Sequence, residues 1–185
     1  MGKFPAILSI LRVKTPVAFF GYTTAMIAVI LSSNILVQYP VNDWLTWGAI
    51  TYPFAFLITD LVNRFHGLKT ARQVIYVGFV AAVVLSAVFA DARIALASGT
   101  AFLCAELADA QIFDRLRRHV WWQPPLVSTL AGSALDTVVF FSLAFYGTGV
   151  PWVTLAIGDF GVKVALALLT LLPFRLALRL AQATP

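Results

Sequence analysis

The sequence predicts an all-α polytopic membrane protein, six transmembrane helices in a compact bundle with both termini cytoplasmic. Three observations carry this. Hydrophobic residues make up 61% of the chain and charged residues 11%, with a mean hydropathy of +0.89, which excludes an ordinary water-soluble domain. The 185 residues divide into apolar runs of about 20, the length that crosses a ~30 Å hydrocarbon core. Lys and Arg, finally, concentrate in alternate connections, as membrane topology requires.

The spans are expected near 17–36, 45–62, 70–90, 92–112, 125–147 and 152–174, so that residues 1–185 form one six-helix transmembrane domain. Before the first, Lys3 precedes the short apolar run FPAILSIL, and Arg12 and Lys14 follow where a cleavage site would need small residues. An interfacial segment is expected there rather than a cleaved signal. The second span is interrupted by Tyr52-Pro53; Pro53 lacks a backbone donor and leaves the Ala49 carbonyl unpaired, giving either a kink or a break that lines a cavity. Spans three and four are separated only by Ala90-Asp91-Ala92, yet their combined length is far too great for one crossing. A tight hairpin around Asp91 follows. The fifth span carries Ser128, Thr129, Gly132, Ser133, Asp136 and Thr137, of which 129, 132, 133 and 136 share one small, polar face suited to close helix packing or a ligand. The sixth carries Asp159 and Lys163 in the favourable i, i+4 order.

Lys3, Arg12 and Lys14 precede the first span; Arg64, Lys69 and Arg72 fill the second connection; Arg115, Arg117 and Arg118 the fourth; Arg175 and Arg179 follow the sixth. The first and fifth connections have no Lys or Arg, and the third has only Arg93. The basic-rich side is the cytoplasmic one. Trp44, Trp47 and Trp152 fall at the outer ends and Trp121 and Trp122 at the inner edge, as interfacial anchors; Trp47 or Trp152 could alternatively stack on a planar ligand.

Helix rise then places ionisable groups at depth. Asp136 lies ~16 Å into the fifth span, Asp159 ~10 Å and Lys163 ~16 Å into the sixth, Glu106 ~21 Å into the fourth and Asp60 ~22 Å into the second. Four central charges facing lipid would cost on the order of 10–14 kcal/mol, so they must face a hydrated or protein-lined interior. Asp159–Lys163 is as readily a structural pair as a functional one. Asp60 is balanced between a rim salt bridge with Arg64 and a functional role. Asp109, close to the inner interface, is balanced between a functional role and capping or pairing with Arg115 or Arg118, and Asp114 is solvated beside Arg115. Glu106 and Asp136 have no basic partner on their own helices, which makes them the leading ligand candidates.

Other classes of function are excluded. His66 and His119 have no partner at metal-ligand spacing, no phosphate-cradling glycine loop occurs, and no Ser/His/acid set meets at one depth. Neither catalysis nor a metal or cofactor is expected. Basic residues at the ends of apolar runs, rather than on one polar face, argue against nucleic acid. The single cysteine, Cys104, falls within a span, where packing is its expected role.

The runs TYPFAFLITDLVNRFHGLKTAR (51–72), RIALASGTAFLCAELADAQIFDRLRRHVWW (93–122) and STLAGSALDTVVFF (128–141), with DFGVK (159–163), resemble the bacterial queuosine-precursor transporters, a family of vitamin-uptake membrane proteins. The connection between spans three and four is shorter than in many members. The resemblance implies an inner-membrane importer of 7-cyano-7-deazaguanine or 7-aminomethyl-7-deazaguanine that supplies queuosine modification of transfer RNA without a separate ATPase. On that basis Glu106 or Asp136 would accept the paired N–H donors of the base, and Asp159 and Lys163 would form a second polar wall. Lys163, Thr137 or Gln111 would donate to its carbonyl and Phe54 or Phe102 would stack on the ring, with Asp60 and Asp109 towards the cytoplasmic gate. The expected partners are therefore a small deazapurine and the lipid bilayer; the working unit stays open between a monomer and a homodimer. Two competing readings remain: a substrate-binding subunit of an energy-coupling-factor importer, for which Gly21 and Ala25 offer a weak small-residue stripe, and a membrane scaffold whose deep charges are all paired.

Overall fold

The computed structural model describes residues 16–36, 39–42, 45–89 and 92–183. The expectations placed on Lys3, Arg12, Lys14, Trp44 and Asp91, and the interfacial segment before the first helix, lie outside the described residues. Helix α1 spans Pro16–Leu36. A minimal antiparallel ribbon, β1 (Pro40–Asn42) with β2 (Leu45–Thr46), leads into the short α2 (Trp47–Thr51). Then follow α3 (Phe54–His66), α4 (Leu68–Phe89), α5 (Ala92–Leu116), α6 (Gln123–Phe145) and α7 (Trp152–Ala183).

Local chemistry explains the boundaries. Tyr52-Pro53 separates α2 from α3, so the interruption is a true break rather than a bend within one helix. Gly67 ends α3 at φ 86°, a conformation that favours glycine, and its N–H caps the Asn63 carbonyl. Pro124 and Pro125 stand in the first turn of α6, where the missing donors would be unpaired anyway. Gly147 and Gly149, both with positive φ, turn the chain between α6 and α7.

Three spans differ from expectation. The second is split, its first residues forming β2. The fourth runs on to Leu116, and the sixth continues through Pro173 to Ala183, about 48 Å of helix, longer than the hydrocarbon core. The apolar stretch from 68 to 116 is two helices packed against each other, α4 ending at Phe89 and α5 beginning at Ala92.

The helices bury narrow stripes. Ala18, Tyr22, Met26 and Ile30 recur every fourth residue on α1 and pack against Ala71, Val74 and Ile75 of α4. A Cβ at Gly78 of α4 would stand 2.7 Å from Met26 Cγ, so glycine permits this close approach. The remaining faces are apolar yet outward: Phe20, Leu96, Val138, Ile157 and Leu172 are each more than 60% exposed. Asp60, Glu106, Asp109, Asp136 and Lys163 are buried instead. An apolar exterior around a charged interior is the arrangement for lipid as solvent. By length and composition α6 and most of α7 (Trp152–Gln182) could each cross a membrane. Cys104 is on the outward surface rather than packed inside.

One end of the bundle gathers the cations. Arg64 donates to the Arg117 carbonyl, Arg117 to the carbonyls of Asn63 and Arg64, and Arg72 to Gln111. Arg175 lies 4.8 Å over the Trp121 ring. At the opposite end Arg93 donates to the carbonyls of Leu143 and Tyr146, closing the C-terminal turn of α6.

Candidate functional site

The helix break positions the first half of the site. With α2 ending at Thr51, Tyr52 swings its side chain inward and donates its hydroxyl to Asp136 Oδ1 of α6 at 3.0 Å. Asp136 Oδ2 receives Lys163 Nζ of α7 at 2.7 Å, and the same ammonium reaches Asp159 Oδ2 at 2.5 Å and Thr137 Oγ1 at 3.1 Å. Thr137 passes the chain on, donating to Asp159 Oδ2 at 2.9 Å. All three ammonium donors are thus used. Two carboxylates share one cation in side-chain positions only 5–15% exposed. The i, i+4 pair foreseen on α7 is present, and Asp136, which has no basic partner on its own helix, has one across the α6–α7 interface.

The second half lies on α3 and α5. Thr59, Asp60 and Asn63 occupy one buried face of α3; Glu106 and Asp109 occupy one buried face of α5. Glu106 Oε2 accepts the Thr59 hydroxyl at 2.5 Å, while Glu106 Oε1 is fully buried without a partner. Asp60 accepts Ser128 at 3.2 Å and Thr129 at 3.3 Å, both from α6. Asp109 lies beside Asp60 and Ser128, closing no hydrogen bond of good geometry to either. Three carboxylates therefore sit inside the bundle with no Lys, Arg or His among their hydrogen-bond partners among the described residues. Ser133 Oγ, on the α6 stripe between Thr129 and Asp136, is also buried and unpartnered. Gly132 makes the close α5–α6 contact possible: a Cβ there would meet Phe56 Cε1 at 2.8 Å, the Ala105 carbonyl at 3.2 Å and Asp109 Cβ at 3.2 Å.

Tyr52 joins the two halves. Its ring meets Phe56 edge-on at 6.0 Å and Phe102 at 6.4 Å, with Lys163 Nζ 5.6 Å from its centroid. Both Glu106 and Asp136 lie within electrostatic reach of Tyr52 and of each other.

Of the residues singled out in the sequence, Glu106, Asp136, Asp159, Lys163, Thr137, Phe102, Asp60 and Asp109 converge on this interior. Phe54 does not: directly after the break it points outward, 41% exposed, and Tyr52 and Phe56 supply the rings instead. Gln111 is committed to Arg72 at the basic end. Asp60 is not bridged to Arg64, nor Asp109 to Arg115 or Arg118; Asp60 and Asp109 are buried one layer inward, while Arg115 and Arg118 are exposed. Asp114 pairs with Arg117 at 3.2 Å rather than standing free beside Arg115. Trp47 is about half exposed, away from the interior. Tyr52, Thr59 and Asn63 were missed as site residues. Their spacing with Phe56 and Asp60, at i, i+4, i+7, i+8 and i+11, is the helical stripe that could have found them.

The chain matches the family described as "Putative vitamin uptake transporter" over residues 46–92 and 85–178. It is 34% identical to the "Queuosine precursor transporter" of Escherichia coli (strain K12) over 185 residues, 84% of each chain. It is 33% identical to the "Probable queuosine precursor transporter" of Haemophilus influenzae over 188 residues, 80% of each chain, and 24% identical to its Bacillus subtilis (strain 168) counterpart over 156 residues, 68% of each. No solved structure matches. The match spans the helix break, the acids of α3, α5 and α6 and the Lys163 cluster, and the chain belongs to this vitamin uptake transporter family, with the queuosine precursor transporters it matches.

Proposed function

We propose that this protein imports a 7-deazaguanine precursor of queuosine across the bacterial inner membrane. The working fold is one bundle of six spans with the basic end and both termini in the cytoplasm, and transport needs no catalytic residue, metal or cofactor. The relatives' names supply the substrate class. The charge asymmetry of the bundle supports the orientation.

The observation that carries the reading is Glu106: a fully buried carboxylate with Oε1 unpartnered, next to Tyr52 and Phe102. A deazaguanine presents an N1–H and an exocyclic amino group side by side, which one carboxylate accepts together. On binding, Lys163 exchanges its Thr137 contact for the ring carbonyl, and the rings of Tyr52 and Phe102 cover the π face. Asp136 and Asp159, sharing one ammonium, accommodate a cationic aminomethyl group. Asp60 and Asp109 lie towards the cytoplasmic side of this contact set. A scaffold with every deep charge paired fits the Lys163 cluster but not the acids of α3 and α5.

The test is queuosine content of transfer RNA in a precursor-auxotrophic bacterium fed low external 7-cyano-7-deazaguanine. Glu106→Gln exchanges one acceptor oxygen for a donor and is expected to abolish modification at wild-type expression. Full modification in that variant would refute the assignment.

A further inference from the structure

Resting on that reading, the substrate contacts leave one buried pair unused, Asp60 of α3 and Asp109 of α5. Both are buried, 2% and 0% exposed, and converge on one stretch of α6, Asp60 on the hydroxyls of Ser128 and Thr129 and Asp109 against Gly132. Among the described residues, groups from several elements meet this pair or lie near it. From α6 come the hydroxyls of Ser128 and Thr129, both donated to Asp60. From α5 comes Glu106, another acid, and from α3 Asn63, whose amide donates to the Ala110 carbonyl. Arg64 and Arg117 at the basic end bond backbone carbonyls and Asp114. His66 packs edge-on against Tyr22, 5.3 Å between ring centroids. The nearest deep cation, Lys163, is already shared by Asp136 and Asp159. Both Asp109 oxygens lack an acceptor's partner, and an independent group, the wholly buried Ser133 hydroxyl, is unpartnered one turn along α6 from Thr129.

We propose that Asp60 and Asp109 form a proton-carrying site, and that an inward-moving proton held between them couples to substrate import. Two adjacent buried carboxylates with no cation among their hydrogen-bond partners in the described residues are satisfied by one proton bridging them, donor on one and acceptor on the other. The stoichiometry is simple. One proton enters from outside with the substrate, is held as a carboxylic acid, and leaves to the cytoplasm, regenerating the carboxylate. Glu106, adjoining both the pair and the substrate contacts, links the two occupancies.

The experiment uses the full chain in proteoliposomes with radiolabelled 7-cyano-7-deazaguanine, the membrane potential clamped by potassium and valinomycin. With one proton per substrate, an inward gradient of one pH unit should drive about tenfold accumulation, abolished by a protonophore. Asp109→Asn and Asp60→Asn should lose accumulation while label still exchanges against unlabelled substrate at equal pH. Wild-type accumulation indifferent to the gradient, or unchanged accumulation in both variants, would overturn the proposal. If wild-type protein exchanges no deazaguanine, the substrate reading fails on its own. The proton site is then decided by infrared spectroscopy of the purified protein. A carboxylic acid C=O band, shifted in heavy water and lost in either Asp→Asn variant, supports it; a wild-type spectrum without that band overturns it.

Discussion

Replacing Lys163 with methionine removes the only cation in the Tyr52–Asp136–Thr137–Asp159 cluster while keeping most of the side-chain volume. Its ammonium stands 2.7 Å from Asp136 and 2.5 Å from Asp159, in a position 5% exposed. Deleting one partner of a buried ion pair strands the other charge and costs about 3–5 kcal/mol. For a chain of this size each kcal/mol moves the melting temperature by about 2–4 °C, so Lys163→Met should melt roughly 6–20 °C lower. Asp136→Asn is milder. The amide oxygen still accepts the Tyr52 hydroxyl and Lys163 keeps Asp159, leaving the loss of one charge-assisted bond, about 1.5–3 kcal/mol. The double variant removes one stranded carboxylate and should recover part of the loss, a coupling of about 1–3 kcal/mol. Melting of purified protein in one detergent, followed by loss of the monodisperse peak on size exclusion, measures all three. A Lys163→Met variant within 2 °C of wild type, or strict additivity in the double variant, would refute the view that this cation holds α6 and α7 together.

Two further outcomes follow from packing. Gly132→Ala places a methyl group 2.8 Å from the Phe56 ring of α3 and 3.2 Å from the Ala105 carbonyl of α5, so the ring must shift and α5 must give by a few tenths of an ångström. It should destabilise by about 1–3 kcal/mol, and an unchanged melting temperature would show that the interface yields freely. Phe102→Ala should raise the half-saturating precursor concentration about tenfold or more by removing a ring against Tyr52, whereas Phe54→Ala, at an outward position, should leave uptake within twofold; the reverse order would exchange their roles.

How much was legible varies residue by residue. Glu106 stood out because a carboxylate deep in an apolar run needs a reason, and its burial with an unpartnered oxygen follows that logic. Asp159–Lys163 was legible because i, i+4 spacing is a property of one helix. Asp136 likewise has no basic partner on its own helix, and its partners, which come from α7 and from the Tyr52 break, could not be read from spacing on α6. Asp109 was balanced towards the arginine-rich end because sequence distance to Arg115 is short, yet helix rotation turns it inward while Arg117 turns to the α3 carbonyls. Phe54 lies two residues from Tyr52, off the stripe that runs through 52, 56, 59, 60 and 63, and so faces outward.

The sequence by itself determined the solvent. Its apolar runs and charge alternation require lipid outside and charged groups inside, because ionisable side chains cannot face hydrocarbon at acceptable cost. It also determined which family of proteins the chain resembles. Only the tertiary structure decided how the buried charges divide, into a cation-satisfied cluster of Asp136, Asp159 and Lys163 and a layer of Asp60, Glu106 and Asp109 that no cation bonds among the described residues. The physical reason is that spacing along a chain reports only the neighbours on one helix. Which carboxylate obtains the Lys163 ammonium depends on which helix faces α7, and that is set by how small faces such as Gly132 let the helices meet.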